Sequence, residues 1–174
     1  VDVTQAARVE NTAITCLAQV AQDWKLAEEE HAHLLRWAAR LHELGLAIAH
    51  NQYHKHGSYI VENSDLPGFS RQEQTRLAGL IRGHRRKFPV EVFAQLPPAQ
   101  IDQEWRLCVL LRLAVLLHRN RTDTELPKFT LAVGKKSLRI QFPADWLAQH
   151  PLTETELGCE AEYLATANIK LEFA

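Results

Sequence analysis

The sequence predicts a mainly α chain: a helical bundle over residues 1–122, then a small α+β unit over 123–174 with a β-hairpin and a C-terminal strand. Three observations point there. Apolar residues recur at steps of three and four through about the first 120 positions. The period then switches to alternation in Phe129–Val133 and again in Ser137–Phe142, with Gly134-Lys135 between them. The chain has 174 residues, 46% hydrophobic and 24% charged, which suits one ordinary globular core.

Residues 4–24 read as a helix that Thr4 can cap, with Ala6, Val9, Ala13, Leu17, Val20 and Trp24 along one stripe. A second helix spans 27–44. Glu28, Glu29 and Glu30 suit its positive end, and Gly45 stops it. A shorter helix covers 53–63, and Asp65-Leu66-Pro67-Gly68 turns the chain. Ser70 and Glu73 form a capping box that opens a helix reaching about Arg85. One helical turn lies near Glu91–Gln95. The longest and most apolar helix runs over 99–120 and belongs at the centre. Its apolar surface also predicts self-association. After the hairpin, Pro143 starts a short helix through Trp146. Thr153 and Glu156 form a second capping box for a helix to about Ala165, and Asn168–Phe173 is a strand.

Composition excludes several classes. There is no apolar run of membrane-spanning length and no signal-peptide pattern. Cys16, Cys108 and Cys159 are scattered and odd in number, which predicts reduced thiols and a cytoplasmic setting. Met is absent even at position 1, which predicts a fragment or processed piece. The net charge of −1 means that any anion site must be a local patch.

Such a patch stands at Arg82-Gly83-His84-Arg85-Arg86-Lys87, where no nearby acid offsets the charge. Cations are also favourable at a helix C-terminus on dipole grounds alone, so a solvated helix end is the plain alternative. No aromatic residue interleaves with the run, which favours phosphate over base recognition and predicts no nucleic-acid partner. His54, Lys55 and His56 sit on a neighbouring segment. Short connections would bring them beside the run, so His54, Lys55, His56, Arg82, His84, Arg85, Arg86 and Lys87 form one predicted anion-binding surface. Protonation of its histidines would strengthen binding below neutral pH. Arg119 and Arg121 add to the positive charge.

His42-Glu43 ends the second helix and has the placement of a metal-binding His-Asp doublet. The remaining ligands are missing: Gln5 stands where a His is wanted, and Leu113-Ala114-Val115-Leu116 carries no acid. Two candidate ligands of four hold a metal poorly, so no metal ligand and no catalytic residue are assigned. The alternative for His42 and Glu43 is a polar pair inside or at the edge of the core. His50 and His54 would share a helix face at zinc-compatible spacing, but a turn and the lack of a nearby Cys or acid favour capping and surface roles. His31 and His33 are expected in solvent, and Asp102 and Glu104 at the start of the long helix.

Several strings together resemble one family. Leu35–Leu46, His54–Ile60, Asn63–Phe69, His84-Arg85-Arg86, Leu110–Ala114 and Phe142–Leu147 resemble, in order, the C-terminal region of the exopolyphosphatase / guanosine pentaphosphate phosphohydrolase (Ppx/GppA) family. The likeness covers nearly the whole chain, with the exopolyphosphatase branch the closer. It implies an HD-like helical domain that has lost its metal residues, followed by the α+β unit. It further implies a hydrolase parent whose catalytic carboxylates and Mg²⁺ lie in actin-like N-terminal domains outside this chain, with no cofactor in this segment. The implied role here is binding of inorganic polyphosphate and support of a homodimer, in the cytoplasm or peripherally at the membrane. An active HD-type metal-dependent nucleotide phosphohydrolase and a purely structural interaction module are the alternatives.

Overall fold

The computed structural model describes residues 1–174. Six helices lead into a three-stranded sheet that encloses a seventh: α1 (Val3–Val20), α2 (Glu29–Leu41), a 3₁₀ turn (Leu44–Ala47), α3 (Tyr53–Asn63), α4 (Arg71–Gly83), α5 (Val90–Phe93) and α6 (Pro98–Leu117), then β1 (Thr130–Gly134), β2 (Ser137–Gln141), α7 (Pro151–Ala165) and β3 (Lys170–Phe173). β1 and β2 are antiparallel, and β3 joins β2 in parallel after the α7 crossover. The parallel pairing was not legible in the sequence.

α6 is the axis of the core. From Glu104 to Leu117 every residue is buried, against α1, α2, α4, α5 and α7. The apolar surface that predicted self-association is thus covered within the chain, and that ground for a dimer falls away. The α+β unit packs on the same core through Phe129, Leu138, Ile140, Leu157 and Leu171. Trp24 Nε1 also donates to Gly134 O at 2.8 Å, tying α1 to the hairpin.

The helix ends correct four expectations. Asp2, not Thr4, caps α1, accepting from Gln5 N at 3.0 Å. The Ser70–Glu73 capping box opens α4 as predicted. The Thr153–Glu156 box does not form, because Pro151, whose fixed φ suits a first helical turn, starts α7 two residues earlier. Pro143–Gln149 is a series of turns rather than a helix. Gly45 does not end a helix in the usual way. It lies inside the 3₁₀ turn, where a Cβ would meet Tyr53 O at 1.9 Å and Gly57 N at 2.6 Å. The absence of a side chain lets the backbone of this turn touch the backbone of α3.

No helix is long and apolar enough to cross a membrane. Cys16 and Cys108 are buried, Cys159 is exposed, and all three are free.

Candidate functional site

α4 ends at Gly83, and the basic run leaves the helix there. The segment does not trail into solvent. Arg112, buried in α6, donates Nη1 to Gly83 O and Nη2 to Arg86 O, both at 2.7 Å. Its Nε and Nη2 hold Glu160 of α7 at 2.6 and 3.0 Å. Arg86 adopts a left-handed φ of +62°, and Arg86 and Lys87 are exposed. Gly83 is confined: a Cβ would lie 2.7 Å from Cys108 Sγ.

Facing this loop is α3, and between them lies a groove of about 580 Å³ with no hydrophobic side chain in its wall. Of the eight residues predicted to form one surface, the structure brings His54, Lys55, Arg82, Arg85, Arg86 and Lys87 to this groove. None of its five Lys and Arg side chains is in an ion pair, whereas Arg119 is held by Glu156 and Arg121 by Asp2 and Glu43. The groove therefore keeps an uncompensated positive charge opposed only by Glu91. Arg85 lies over the Tyr53 ring at 4.4 Å, so an aromatic residue does reach the basic run, from α3 rather than from within the run.

Two predicted residues stand apart. His56 does not line the groove. His84 is buried beneath it, donating Nδ1–H to Ile81 O at 2.5 Å. Burial, and then the His42 charge, push His84 well below the ordinary histidine range. His54 does face the groove, but burial, followed by Arg85, Lys55, Arg82 and Arg86, pushes it down to about 4. Neither imidazole supplies a cation near neutral pH, so the expected strengthening of binding just below pH 7 does not come from these two. His54 Nδ1 has no hydrogen-bond partner in the fold and is itself shut off from solvent, so it is not the atom that His54 offers to the groove. His50 was missed as a groove residue. It precedes α3, outside the helix, because Gln52 is left-handed at φ +55°, yet it lines the groove.

A second cavity of about 410 Å³ adjoins the groove and contains Gln5, His42, Glu43 and Val115. The positions considered for a metal do meet in space, but their chemistry does not fit one. Gln5 Nε2 donates to His118 O at 2.7 Å, His42 Nδ1 to Ala39 O at 2.6 Å, and Glu43 is bound by Arg121. His42 and Glu43 are buried as expected, but they are not bonded to each other. No group of three or more His, Cys, Asp or Glu side chains is placed to hold a metal ion.

Other expectations fail on burial. His31 is inside the core, not in solvent, and His33 stacks on Phe69 at 5.0 Å. Asp102 accepts from Trp105 Nε1, and Glu104 is fully buried against Arg76 rather than serving the helix start.

The buried histidines give a testable pH dependence. His42, His54, His84 and His118 all have folded-state pKa values below the unfolded value of about 6.5, chiefly through burial. The unfolded chain then binds more protons, so this stability is present above about pH 6.5 and is lost as pH falls toward 4. Glu104, raised by burial to about 7, acts in the opposite sense between about 4.5 and 7. The melting midpoint should drop over pH 6.5–4, and more steeply in Glu104→Gln. A midpoint that stays flat in both proteins contradicts this account.

The comparisons with known proteins bear on the same residues. The family model described as Ppx/GppA phosphatase, domain III, matches residues 1–161. A guanosine-5'-triphosphate,3'-diphosphate pyrophosphatase of Pseudoalteromonas translucida is 36% identical over 171 residues, covering 98% of this chain and 34% of that protein. Proteins of the same name from Aeromonas hydrophila and Aeromonas salmonicida are each 34% identical, over 92% of this chain and 32% of theirs. The chain spans about a third of the length of these curated relatives.

Proposed function

Because the chain belongs to the Ppx/GppA phosphatase family, we propose that it is the polyanion-gripping segment of a phosphoanhydride hydrolase, and that its groove binds inorganic polyphosphate. The observation that carries this is the convergence of Lys55, Arg82, Arg85, Arg86 and Lys87 on one groove without ion-pair partners. A line of phosphates needs spaced cations and no base pocket. Arg can grip two phosphate oxygens at once, and Lys adds a point charge. His50 and His54 line the same groove beside these cations.

Hydrolysis itself, with the Mg²⁺ implied by the resemblance, is assigned to parts of the parent outside this chain. The donor set at Gln5, His42, Glu43 and Val115 favours this over a metal-dependent nucleotide phosphohydrolase. Dimerisation of the parent belongs to the proposal on the resemblance alone. Sedimentation equilibrium giving a strict monomer at high micromolar concentration removes it.

The printed names of the relatives favour a second reading, in which the groove takes the phosphate tail of a guanosine nucleotide. One binding series separates the two. Arg85→Ala/Arg86→Ala should weaken long-chain polyphosphate by about a hundredfold, at about 1.5 kcal/mol per charged contact. It should also flatten the salt dependence, because fewer counterions are released. Binding of guanosine pentaphosphate with the same tightness as long polyphosphate, at matched salt, selects the second reading. If the double variant keeps the wild-type affinity and salt slope, the run is a solvated helix end. Arg86 holds the fold through its carbonyl, which an alanine retains.

A further inference from the structure

The cavity of about 410 Å³ beside the polyanion groove shares His50, Arg85 and Arg86 with it, so one wall serves both spaces. The acids in this cavity are already matched. Each carboxylate in its wall faces a guanidinium: Glu43 faces Arg121, Glu156 faces Arg119, and Glu160 faces Arg112. Arg85 and Arg86 have no acidic partner, so the positive charge left over stands on the side shared with the groove.

The cavity also holds a neutral acceptor without a partner. His42 is 2% exposed, and it lines this cavity. Its Nδ1 donates to Ala39 O at 2.6 Å, which leaves Nε2 as a lone-pair acceptor. Nε2 makes no hydrogen bond in the fold. Nor is it sealed, as Nε2 of His84 is, whose ring stands 5.1 Å away. Burial holds His42 below the ordinary histidine range, so the acceptor survives near neutral pH. Tyr53 lines the same cavity, and burial holds its hydroxyl above the ordinary range, so it remains a donor.

We propose that this cavity is a chain-end site, seating the terminal phosphate of a polyphosphate whose interior lies in the groove, with His42 Nε2 accepting the P–O–H proton. The proposal rests on the polyphosphate reading of the groove. An interior phosphate has only ionised and bridging oxygens, so it brings Nε2 no proton. A terminal phosphate has a second ionisation near about 6, as in a phosphate monoester, and keeps an O–H in part of the population near neutral pH. Its ionised oxygens can take N–H groups of Arg85 and Arg86 and the Tyr53 hydroxyl. The same walls disfavour other classes. An organic cation meets Arg85 and Arg86. A metal ion finds no set of three His, Cys, Asp or Glu side chains. A carboxylate is fully ionised near neutral pH and has no O–H to give.

The probes are linear tripolyphosphate, which has ends, and cyclic tetrametaphosphate, which has none. At pH 6 the ends of the linear probe are half protonated, and each probe carries about four negative charges, so net charge does not separate them. Titrated into the chain by calorimetry at pH 6, the linear probe should bind about tenfold tighter or more, the yield of one hydrogen bond to a charged group. His42→Phe keeps an aromatic ring and removes the acceptor. It should abolish that preference and leave the binding of long-chain polyphosphate, which is nearly all interior, in place. Tyr53→Phe keeps the ring under Arg85 and should weaken the linear probe about fivefold. Melting curves show which variant is folded, and the comparison of the two probes on the wild type needs neither. Equal binding of the two probes by the wild type overturns the proposal, as does a preference that survives in folded His42→Phe. Failure of long-chain polyphosphate to bind at all removes the polyphosphate reading, and the chain-end site with it. Binding of the long chain without a difference between the two probes removes the chain-end site alone.

Discussion

Arg112→Met is expected to destabilise the chain by about 3–5 kcal/mol, the range for removing one partner of a buried ion pair. The Arg112 side chain is 1% exposed and Glu160, its partner, 8%. Four hydrogen bonds leave this one guanidinium, two to Glu160 and two to the carbonyls of Gly83 and Arg86. Met fills much of the volume but leaves a carboxylate stranded between α6 and α7. It also leaves the Arg86 carbonyl without its partner. Urea unfolding measures the loss. Arg112→Met/Glu160→Leu should recover most of it, because an apolar pair of similar volume can match a buried ion pair. Groove binding should not recover in the double variant, since the 83–86 carbonyls still lack their donor. Recovery of both stability and binding would show that Arg112 does not position the loop.

The second large effect is expected from Gly45→Ala. A methyl group there would sit 1.9 Å from Tyr53 O and 2.6 Å from Gly57 N, both backbone atoms of α3. No side-chain rotation relieves that contact, so the 3₁₀ turn and α3 must separate. Overpacking of a core usually costs about 1–3 kcal/mol. A backbone-to-backbone clash should exceed that, at more than about 3 kcal/mol, with a fall in melting midpoint to match. Because α3 carries His54 and Lys55, the groove should widen and polyphosphate affinity should fall as well. A midpoint within a degree or two of wild type removes this account of Gly45. The neighbouring Gly57 is a milder case, as its Cβ would meet Ile81 Cγ2 at 3.1 Å and Gly45 N at 3.2 Å.

Local signals carried most of the elements. The capping box at Ser70, the alternation around Gly134 and the apolar run of α6, interrupted from Leu107 to Leu117 only by Arg112, all reflect short-range physics, and each element stands where that physics places it. The groove was legible for a related reason. Uncompensated cations on two segments joined by short connections have few places to go but one surface. Burial of polar side chains was not legible. His84 and Glu104 read as surface groups because their sequence neighbours are polar or charged, and their partners lie on other helices. Nothing near Glu104 in sequence announces Arg76, 28 residues away, and nothing near Arg112 announces Glu160, 48 away. His50 was passed over for the same reason, since it reaches the groove through the left-handed Gln52 and not through helical spacing. The Pro151 start of α7 was available in the sequence, and the Thr153 box masked it.

Arg112 holds the basic loop by its carbonyls, and that has a consequence for how such a groove can diverge. Main-chain acceptors are the same whatever side chain is attached. Positions 82, 85, 86 and 87 are thus free to change their chemistry without disturbing the support beneath them. Substitution at the rim is therefore expected to change the groove's charge and leave the loop in place, while substitution at Arg112, Glu160 or Gly83 is expected to disturb the loop itself. The charge of the groove and the support of its backbone thus rest on different residues.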